Sequence, residues 1–365
     1  MNFENLADHK LLSIKPVSSP DLVKPSGVKS VLWIQLVVFI LGLGLLSFVV
    51  YYIGFYKIFE ALQRVGWGFL LILTLNGVRH WLRALCIYLA IPAEHRKFNY
   101  LHAVSARLGG EAVSVLTFTG PLLGEAAKAT LLKTRVPLSQ GISAVVVDNI
   151  LYDISVILLI LSGVGVLLFS FAVGENPIIY VLFIITGFIT LIAIGLMLLT
   201  KYRIKPITWL LTKFSKKTWL PQFILAKKDH INEIETNVYD FYTERRGSFY
   251  SLIGINFLAH ALGIGEVYLA LYLLGFTPNM VNSFIIESLT KVINLIFSFV
   301  PGTVGVYEGG TGVILHTLGY VTATGVMLGL VRKGAILFWT CVGLIILLWR
   351  AIPKRHTQQT VNQRM

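Results

Sequence analysis

The residues of this sequence that could do chemistry are ionisable side chains inside long apolar stretches. A charge at the centre of a bilayer costs about 2.5–3.5 kcal/mol on insertion scales, so such side chains normally face a cavity, a partner or a substrate path. The two signs are equally represented, which predicts a charged interior with little net charge. The basic residues are Arg79, Arg83, Arg107, Lys128, Lys291, Arg332 and Lys333, and the acidic residues are Glu111, Glu125, Asp148, Asp153, Glu266, Glu287 and Glu308.

Two arginines, Arg79 and Arg83, lie one helical turn apart near the centre of an apolar run. Residues at this spacing share a helix face. Two fixed guanidinium groups suit a phosphate, because each can donate two parallel hydrogen bonds to it. The alternative is a structural ion pair with Glu111 or Glu125, and the sequence leaves both open.

Two breaks interrupt apolar segments that would otherwise be continuous helices. Proline stops one helix and suits the first turn of the next. Each break is followed by a glycine and then by an acidic residue. The break residues are Gly120, Pro121 and Gly124 in the first half and Pro301, Gly302 and Gly305 in the second half.

The half-helix that starts at Pro121 presents free N–H groups and a positive dipole end, with Lys128 two turns further on. This arrangement favours an anionic headgroup. Glu125 and Glu308 need another role, because a carboxylate repels a phosphate. They could cap their own helix ends, bind a cationic group or carry a coupling proton.

An oppositely charged pair at i,i+4 spacing precedes each break. The two pairs lie at the same distance from their breaks, and the order of the positive and negative residue is reversed between them. Such agreement favours an inverted repeat, in which the two halves have the same fold inserted in opposite directions. Arg107 and Glu111 precede Pro121 by the same separations by which Glu287 and Lys291 precede Pro301.

Other buried polar residues favour structural roles. Asp148 and Asp153 are about 140° apart around a helix, so we expect separate basic partners rather than one acid/base site. His260 is expected to be buried and hydrogen-bonded, and His316 to be packed in the core, whereas the role of Glu266 is open.

The elements that must position these residues are membrane helices. The chain has 365 residues, of which 55% are hydrophobic and 13% charged, too apolar for an ordinary soluble domain. Crossing the ~30 Å hydrocarbon core takes roughly 20 apolar residues. The predicted spans are 31–52, 67–91, 142–171, 178–200, 249–275 and 322–348.

Charge placement sets the predicted topology. Residues 201–248 contain ten Lys and Arg against five acids, and both tails are basic, so all three are predicted to be cytoplasmic. Segments 101–133 and 282–318 must then each enter and leave on one side, as re-entrant hairpins. The alternative of eight plain spans would place the basic loop outside.

The predicted fold is therefore all-α and polytopic, with about six spans and two oppositely inserted hairpins. Residues 228–246 carry an apolar stripe typical of an interfacial helix. The predicted organisation is a disordered cytoplasmic tail (1–30), a first membrane half (31–200), a cytoplasmic basic loop with an amphipathic helix (201–248), a second membrane half (249–350) and a cytoplasmic tail (351–365).

The net charge of +13 comes from tails and loops beside membrane segments, which indicates an anionic leaflet rather than nucleic acid. Cys86 and Cys341 fall inside apolar stretches, so no disulfide framework is expected. No metal-ligand spacing, phosphate loop or catalytic Ser or Cys setting occurs, so neither a cofactor nor a metal is expected. The expected partners are membrane phospholipids with anionic headgroups, and a homodimer is left open.

Three segments together resemble the membrane domain of lysylphosphatidylglycerol synthase, a family of flippase-like proteins. They are GPLLGEAAKATLL at 120–132, VVVDNILYD at 145–153 and FVPGTVGVYEGG at 299–310. The most specific element is the P-G-x-x-G-x-x-E signature at 301–308. The resemblance covers about residues 33–349.

The resemblance implies movement of phospholipids or related amphiphiles between leaflets of the cell membrane, with the hairpins forming the path. The synthase activity of the full proteins belongs to a soluble domain, for which a chain ending at Met365 is expected to have no room. Two departures, Asn149 where a basic residue is usual and Thr303 where a second glycine is usual, leave the lipid preference open.

Three functions remain as hypotheses. In the first, a lipid flippase, Arg79, Arg83 and Lys128 hold the phosphate, and Glu125, Glu287 and Glu308 tune charge or coupling. The second is a membrane-embedded transferase that modifies a lipid phosphate. The third is a non-catalytic partner of a lipid-synthesis complex, in which the buried charges are structural.

Overall fold

The computed structural model describes residues 51, 55–117, 121–170, 202–203, 205–214 and 228–351, together with 184, 187, 190, 191 and 195. The predicted tail 1–30 and the end of the chain after 351 lie outside the described residues. So do Gly120 and nearly all of the predicted spans 31–52 and 178–200.

The described chain is helical, and no strand occurs in these ranges. The prediction of an all-α membrane protein is confirmed at this level. The helices are α1 (Phe55–Val65), α2 (Phe69–Ala90), α3 (Leu101–Leu116), α4 (Pro121–Leu132), α5 (Leu138–Ser170), α6 (Pro206–Phe214), α7 (Lys228–Glu244), α8 (Arg246–Leu273), α9 (Met280–Ile296), α10 (Val306–Thr317) and α11 (Thr322–Ala351).

Four helical stretches of the described chain are long and apolar enough to cross a bilayer. They correspond to the predicted spans at 67–91, 142–171, 249–275 and 322–348, which makes this a multi-pass membrane protein. The first begins earlier than predicted, because α1 runs through a turn of 3₁₀ helix into α2. The stretches are Phe59–Ala90, Leu138–Ser170, Arg246–Leu273 and Thr322–Arg350.

The helices on either side of the two breaks are too short to cross a bilayer alone. α3 and α4 have 16 and 12 residues, or about 24 and 18 Å at 1.5 Å per residue. α9 and α10 have 17 and 12 residues, or about 26 and 18 Å. Each short helix packs against its partner across the break.

Glycine packing brings α3 and α4 together. A Cβ on Gly124 would lie 2.8 Å from the carbonyl oxygen of Gly110 and 2.7 Å from Cβ of Ser114. The sequence prediction that Gly124 belongs to the helix break is wrong, because this residue lies inside α4 and its role is close helix contact. Pro121 is the first residue of α4, as predicted.

The second break is a strained turn that is stabilised by a lysine of α11. Gly302, Thr303 and Gly305 have φ values of 59°, 48° and 76°. Lys333 Nζ donates to the carbonyl oxygen of Gly302 and, at 3.2 Å, to Oγ1 of Thr303. The N–H of Gly305 donates to Oε2 of Glu308 at 2.8 Å, which confirms helix capping by this glutamate.

Replacing Gly305 with alanine should lower the free energy of unfolding by about 1–3 kcal/mol, because φ 76° with ψ −37° is a conformation that L-residues rarely adopt. Thermal unfolding of the detergent-purified protein measures the change. Gly309→Ala is the matched control, since Gly309 lies in α10, the helix that Gly305 immediately precedes, with nothing within 4 Å of its added Cβ. Equal stability of the two variants would contradict the strained turn.

The two halves of the described chain contact each other in a reciprocal way. α3, which precedes the first break, packs on α11, the long helix after the second break. α9, which precedes the second break, packs on α5, the long helix after the first break. A glycine lies at each of these contacts: Gly343 of α11 packs against Leu108 of α3, and Gly163 of α5 packs against Ser288 of α9.

The amphipathic helix α7 packs on α5 and α6 with its predicted stripe inward, where Val238 and Phe241 are buried. Glu235 is also buried. Its carboxylate accepts from the N–H groups of Ile207 at 2.9 Å and Thr208 at 3.1 Å, so it caps the first turn of α6.

Candidate transport site

A cluster of ion pairs lies at the centre of the described helices. Glu287 on α9 is fully buried and contacts three cations. Its carboxylate accepts from Arg332 at 2.7 Å and lies 2.8 Å from Lys291 Nζ and 3.6 Å from Arg79 Nη2. Three cations offset the cost of burying this charge.

Glu266 on α8 completes the cluster. It lies 2.7 Å from Arg79 and 3.2 Å from Arg332, so each arginine bridges both carboxylates. The amide of Asn76 donates to the same carboxylate at 3.5 Å. Helices α2, α8, α9 and α11 are thereby joined through charged groups in the middle of the protein.

Arg83 belongs to a separate buried pair. It donates to Asp148 at 2.9 Å and to Oδ1 of Asn256 at 2.6 Å, and its guanidinium stacks 4.0 Å from the ring centre of Tyr152. Asp148 is fully buried. Arg83 is therefore held as a structural partner of Asp148, since removing it would leave a carboxylate buried without a counter-ion.

The structural alternative predicted for the two arginines names the wrong partners. Arg79 pairs with Glu266 and Glu287, and Arg83 pairs with Asp148, whereas Glu111 and Glu125 are the partners expected from the sequence. The partners of Arg79 come from helices of the second half, and no local spacing in the sequence indicates them.

Both predicted i,i+4 pairs form. Arg107 lies 3.0 Å from Glu111 on α3, and Lys291 lies 2.8 Å from Glu287 on α9. Their environments differ, because Glu287 also contacts two arginines, whereas Glu111 is one-third exposed in the side chain.

A cavity of about 190 Å³ opens beside the cluster. Helices from both halves form its walls, and the rings of Tyr152, Tyr307 and Trp339 line it together with polar groups. Both carboxylates that line it, Glu111 and Glu266, are held in ion pairs. Its basic residues are Arg79, Arg83, Arg107, Lys291 and Arg332.

Three of these arginines keep a buried nitrogen for which the described part of the chain supplies no hydrogen-bond partner. The atoms are Nε of Arg83, Nε of Arg107 and Nη1 of Arg332. A buried donor without a partner is unfavourable, so such atoms mark where a ligand or water would be stabilised. The walls of this cavity are therefore suited to bind an anion.

Several ionisable residues singled out from the sequence do not line the cavity. Lys128 is buried in a pair with Glu125 at 2.7 Å, and Lys333 lies 3.5 Å from Glu308. Asp153 is exposed on α5, and no ion pair to it occurs among the described residues. The structure therefore does not bring these five residues to the cavity that Arg79 and Arg83 line.

The two histidines behave differently from each other. His260 is buried, lies 2.9 Å from Ser155 Oγ and stacks on Tyr152, as expected for a hydrogen-bonded core residue. His316 is exposed on α10, so the prediction that it is packed in the core is wrong. Its position near a helix end, just before Leu318, is the signal that could have indicated this.

Sequence reasoning missed several cavity and cluster residues, among them Asn76, Asn256 and His80. One constant offset between the two halves would have found them. The offset that takes Pro121 to Pro301 also takes Asn76 to Asn256, His80 to His260, Arg107 to Glu287, Glu111 to Lys291, Lys128 to Glu308 and Gly163 to Gly343.

The helices that are in contact agree with this offset. His80 on α2 packs on Trp339 of α11, and His260 on α8 packs on Tyr152 of α5. Where both residues related by the offset are charged, their charges have opposite signs. The second half therefore supplies a carboxylate wherever the first half supplies a cation in these pairs.

Comparison with known proteins adds one match. A family model described as the lysylphosphatidylglycerol synthase TM region matches residues 32–345. No curated protein and no solved structure matches the chain. The matched region includes every residue that lines the cavity.

Proposed function

Because the chain belongs to this family of lysylphosphatidylglycerol synthase membrane regions, which are associated with lipid metabolism, we propose that it moves a phospholipid or lipid-linked amphiphile between leaflets. The headgroup would pass through the charged cavity while the acyl chains stay in the bilayer. The observation that carries the proposal is a cation-rich cavity built from both halves of a membrane protein with two broken helices.

The size of the cavity supports the proposal that the headgroup enters it while the acyl chains stay in the bilayer. A cavity of about 150 Å³ holds a benzene molecule, so about 190 Å³ accommodates a headgroup and not two acyl chains. Polar groups at membrane depth are tolerated where they line a cavity, and this is where a headgroup needs them.

The topology we propose has six spans and two re-entrant hairpins, 101–133 and 282–318, that enter from opposite sides. Support comes from the short helices at both breaks, from the reciprocal packing of α3 on α11 and α9 on α5, and from the constant offset between the halves. Transporters built as inverted repeats bind their substrates at the interface between the repeats. We place both termini in the cytoplasm and the protein in the cell membrane.

We further propose that the protein is a transporter and not a lipid-modifying transferase. The carboxylates in and beside the cavity support this, because Glu111, Glu266 and Glu287 are all held in ion pairs with cations. A general acid or base must be free to exchange a proton with the substrate. Mass spectrometry of lipids incubated with the purified protein separates the two hypotheses, since a transferase leaves a modified lipid.

Filling the cavity should block transport. Ile336 lines it on α11, so Ile336→Trp should reduce scrambling of a fluorescent phospholipid in proteoliposomes by about tenfold or more, because the indole occupies the headgroup space. Ile345→Trp is the matched control, since this residue is exposed on the same helix.

Thermal unfolding of both variants establishes whether they are folded before transport is compared. Folded Ile336→Trp protein that scrambles at the rate of the Ile345→Trp control would contradict a path through this cavity. Equal rates in proteoliposomes with and without the unmodified protein would contradict transport itself.

A further inference from the structure

The offset between the two halves relates two pairs of charged residues that behave differently in this structure. It takes Lys128 on α4 to Glu308 on α10, and Asp153 on α5 to Lys333 on α11. In the second half, Lys333 lies 3.5 Å from Glu308 and joins α11 to α10. In the first half, Lys128 lies 2.7 Å from Glu125 of its own helix. Among their described residues, α4 and α5 therefore lack the ion pair that joins α10 to α11.

The two hairpins also differ in how closely they pack on the long helix that follows. A Cβ added to Gly325 of α11 would overlap the carbonyl oxygen of Thr311 in α10, so these two backbones touch. The residue at the corresponding position of α5 is Val145. The glycine that α5 places against α4 is Gly141, where an added Cβ would lie 3.8 Å from its nearest neighbours, an ordinary van der Waals distance. The packing therefore fixes α10 on α11 but leaves α4 freer to shift along α5.

The two lysines are held by different numbers of groups. Besides lying beside Glu308, Lys333 donates to two oxygen atoms of the turn at the second break. Lys128 donates to Glu125, which is its ion-pair partner in the described chain. Lys128 can therefore change partner by leaving one carboxylate, whereas Lys333 would have to leave three groups.

Asp153 is the carboxylate that is available to Lys128. Glu111 and Asp148 also act electrostatically on Lys128, but each of them is already paired with an arginine. Asp153 is exposed, and no ion pair to it occurs among the described residues. Arg83, the cation that acts on Asp153 electrostatically, pairs with Asp148 instead.

Exchanging one partner for another avoids the cost of breaking a buried ion pair. The side chain of Lys128 is 1% exposed, so losing its counter-ion would leave a buried charge uncompensated. An exchange keeps Lys128 paired in both states. The carboxylate that it would leave, Glu125, is 24% exposed in its side chain and can be solvated. Neither state then buries a carboxylate without a counter-ion.

We propose that Lys128 alternates between Glu125 and Asp153, and that this exchange moves α4 relative to α5 while α10 stays fixed on α11. α4 packs on α3, which carries the cavity residues Arg107 and Glu111, so its movement changes access to this wall of the cavity. The role of the exchange in admitting a headgroup rests on the proposed function. The exchange itself rests on the contacts of the two halves.

Cross-linking of the unmodified protein with dicyclohexylcarbodiimide tests the exchange without assuming transport. The reagent activates a carboxylate, and an amine in contact with it then forms an amide while the reagent leaves as its urea. Mass spectrometry of peptides should find Lys128 linked to Glu125 and also to Asp153. The link between Lys291 and Glu287, which lie 2.8 Å apart, is the internal control.

Linkage of Lys128 to Glu125 alone, in a sample that contains the control link, would overturn the proposal. Linkage of Lys128 to Glu111 in place of Asp153 would also overturn it. In the Glu125→Gln variant, the link between Lys128 and Asp153 should increase severalfold, because the competing partner is removed. An unchanged yield of this link in folded variant protein would contradict the exchange.

Transport supplies the second measurement. Asp153→Asn should slow scrambling of a fluorescent phospholipid by about tenfold, because the state that Asp153 stabilises becomes less populated. Its thermal unfolding midpoint should not change, since Asp153 forms no ion pair with the described residues of this state. Asp153→Glu keeps the carboxylate and should retain transport. Glu60→Gln, which neutralises an exposed glutamate paired with Arg64, is the matched control.

The two measurements separate the exchange from the proposed function. Equal scrambling by the Asp153→Asn and Asp153→Glu variants would overturn the role of the exchange in transport. A link between Lys128 and Asp153 in a protein that scrambles no lipid would support the exchange and contradict the proposed function.

Discussion

Replacing Glu287 with glutamine should lower the free energy of unfolding by about 3–5 kcal/mol, the largest stability loss we expect from a single isosteric change in the described chain. The carboxylate is fully buried against Arg332, Lys291 and Arg79. Neutralising it leaves Arg79 and Arg332 with Glu266 as their remaining carboxylate and leaves Lys291 without an ion-pair partner among the described residues. Thermal and denaturant unfolding in detergent measure the loss.

Glu60→Gln is the matched control, because it neutralises a glutamate in an exposed i,i+4 pair with Arg64. Exposed pairs of this kind contribute up to about 1 kcal/mol. A second control adds Lys291→Gln to Glu287→Gln, which restores the charge balance and should recover part of the lost stability. Similar unfolding midpoints for the Glu287 and Glu60 variants would contradict the buried cluster.

Alanine at Gly163 or Gly343 should lower the free energy of unfolding by several kcal/mol and reduce the yield of folded protein. The added Cβ of Gly163 would overlap Ser288 of α9, and that of Gly343 would overlap the carbonyl oxygen of Leu108 in α3. Neither obstacle is the end of a flexible side chain, so whole helices would have to separate.

Gly165→Ala is the matched control for Gly163→Ala. It lies on the same helix with nothing within 4 Å of the added Cβ, and alanine favours a helix over glycine by about 1 kcal/mol. The yield of monodisperse protein after size-exclusion chromatography and its unfolding midpoint measure both effects. A stable Gly163→Ala protein would show that α5 and α9 are not packed as described.

Both predictions concern contacts between helices that are far apart in the sequence, such as Glu287 with Arg79 and Gly163 with Ser288, and the sequence could not supply these contacts. Partners at i,i+4 spacing were predictable, because helix geometry places them on one face. Arg107 with Glu111 and Glu287 with Lys291 are such pairs, and both form. The long-range partner Glu266 has no comparable rule.

The second break was also only partly predictable. Its position at Pro301 follows from the chemistry of proline and glycine. The contribution of Lys333, which reaches the turn from α11, depends on helix packing. The same holds for Lys128, which was expected from the sequence to hold a phosphate and which the structure pairs with Glu125.

By itself, the sequence determined that this protein is a helical membrane protein, where its long described helices run and where two of its apolar segments break. These features depend on apolar length, local charge spacing and proline, which act within one segment. Tertiary structure decided which buried charges line the cavity, because apolar residues cover helix faces toward both lipid and protein in a membrane. Hydrophobicity therefore does not distinguish the inward face, and only packing pairs Arg79 with Glu266 and Arg83 with Asp148.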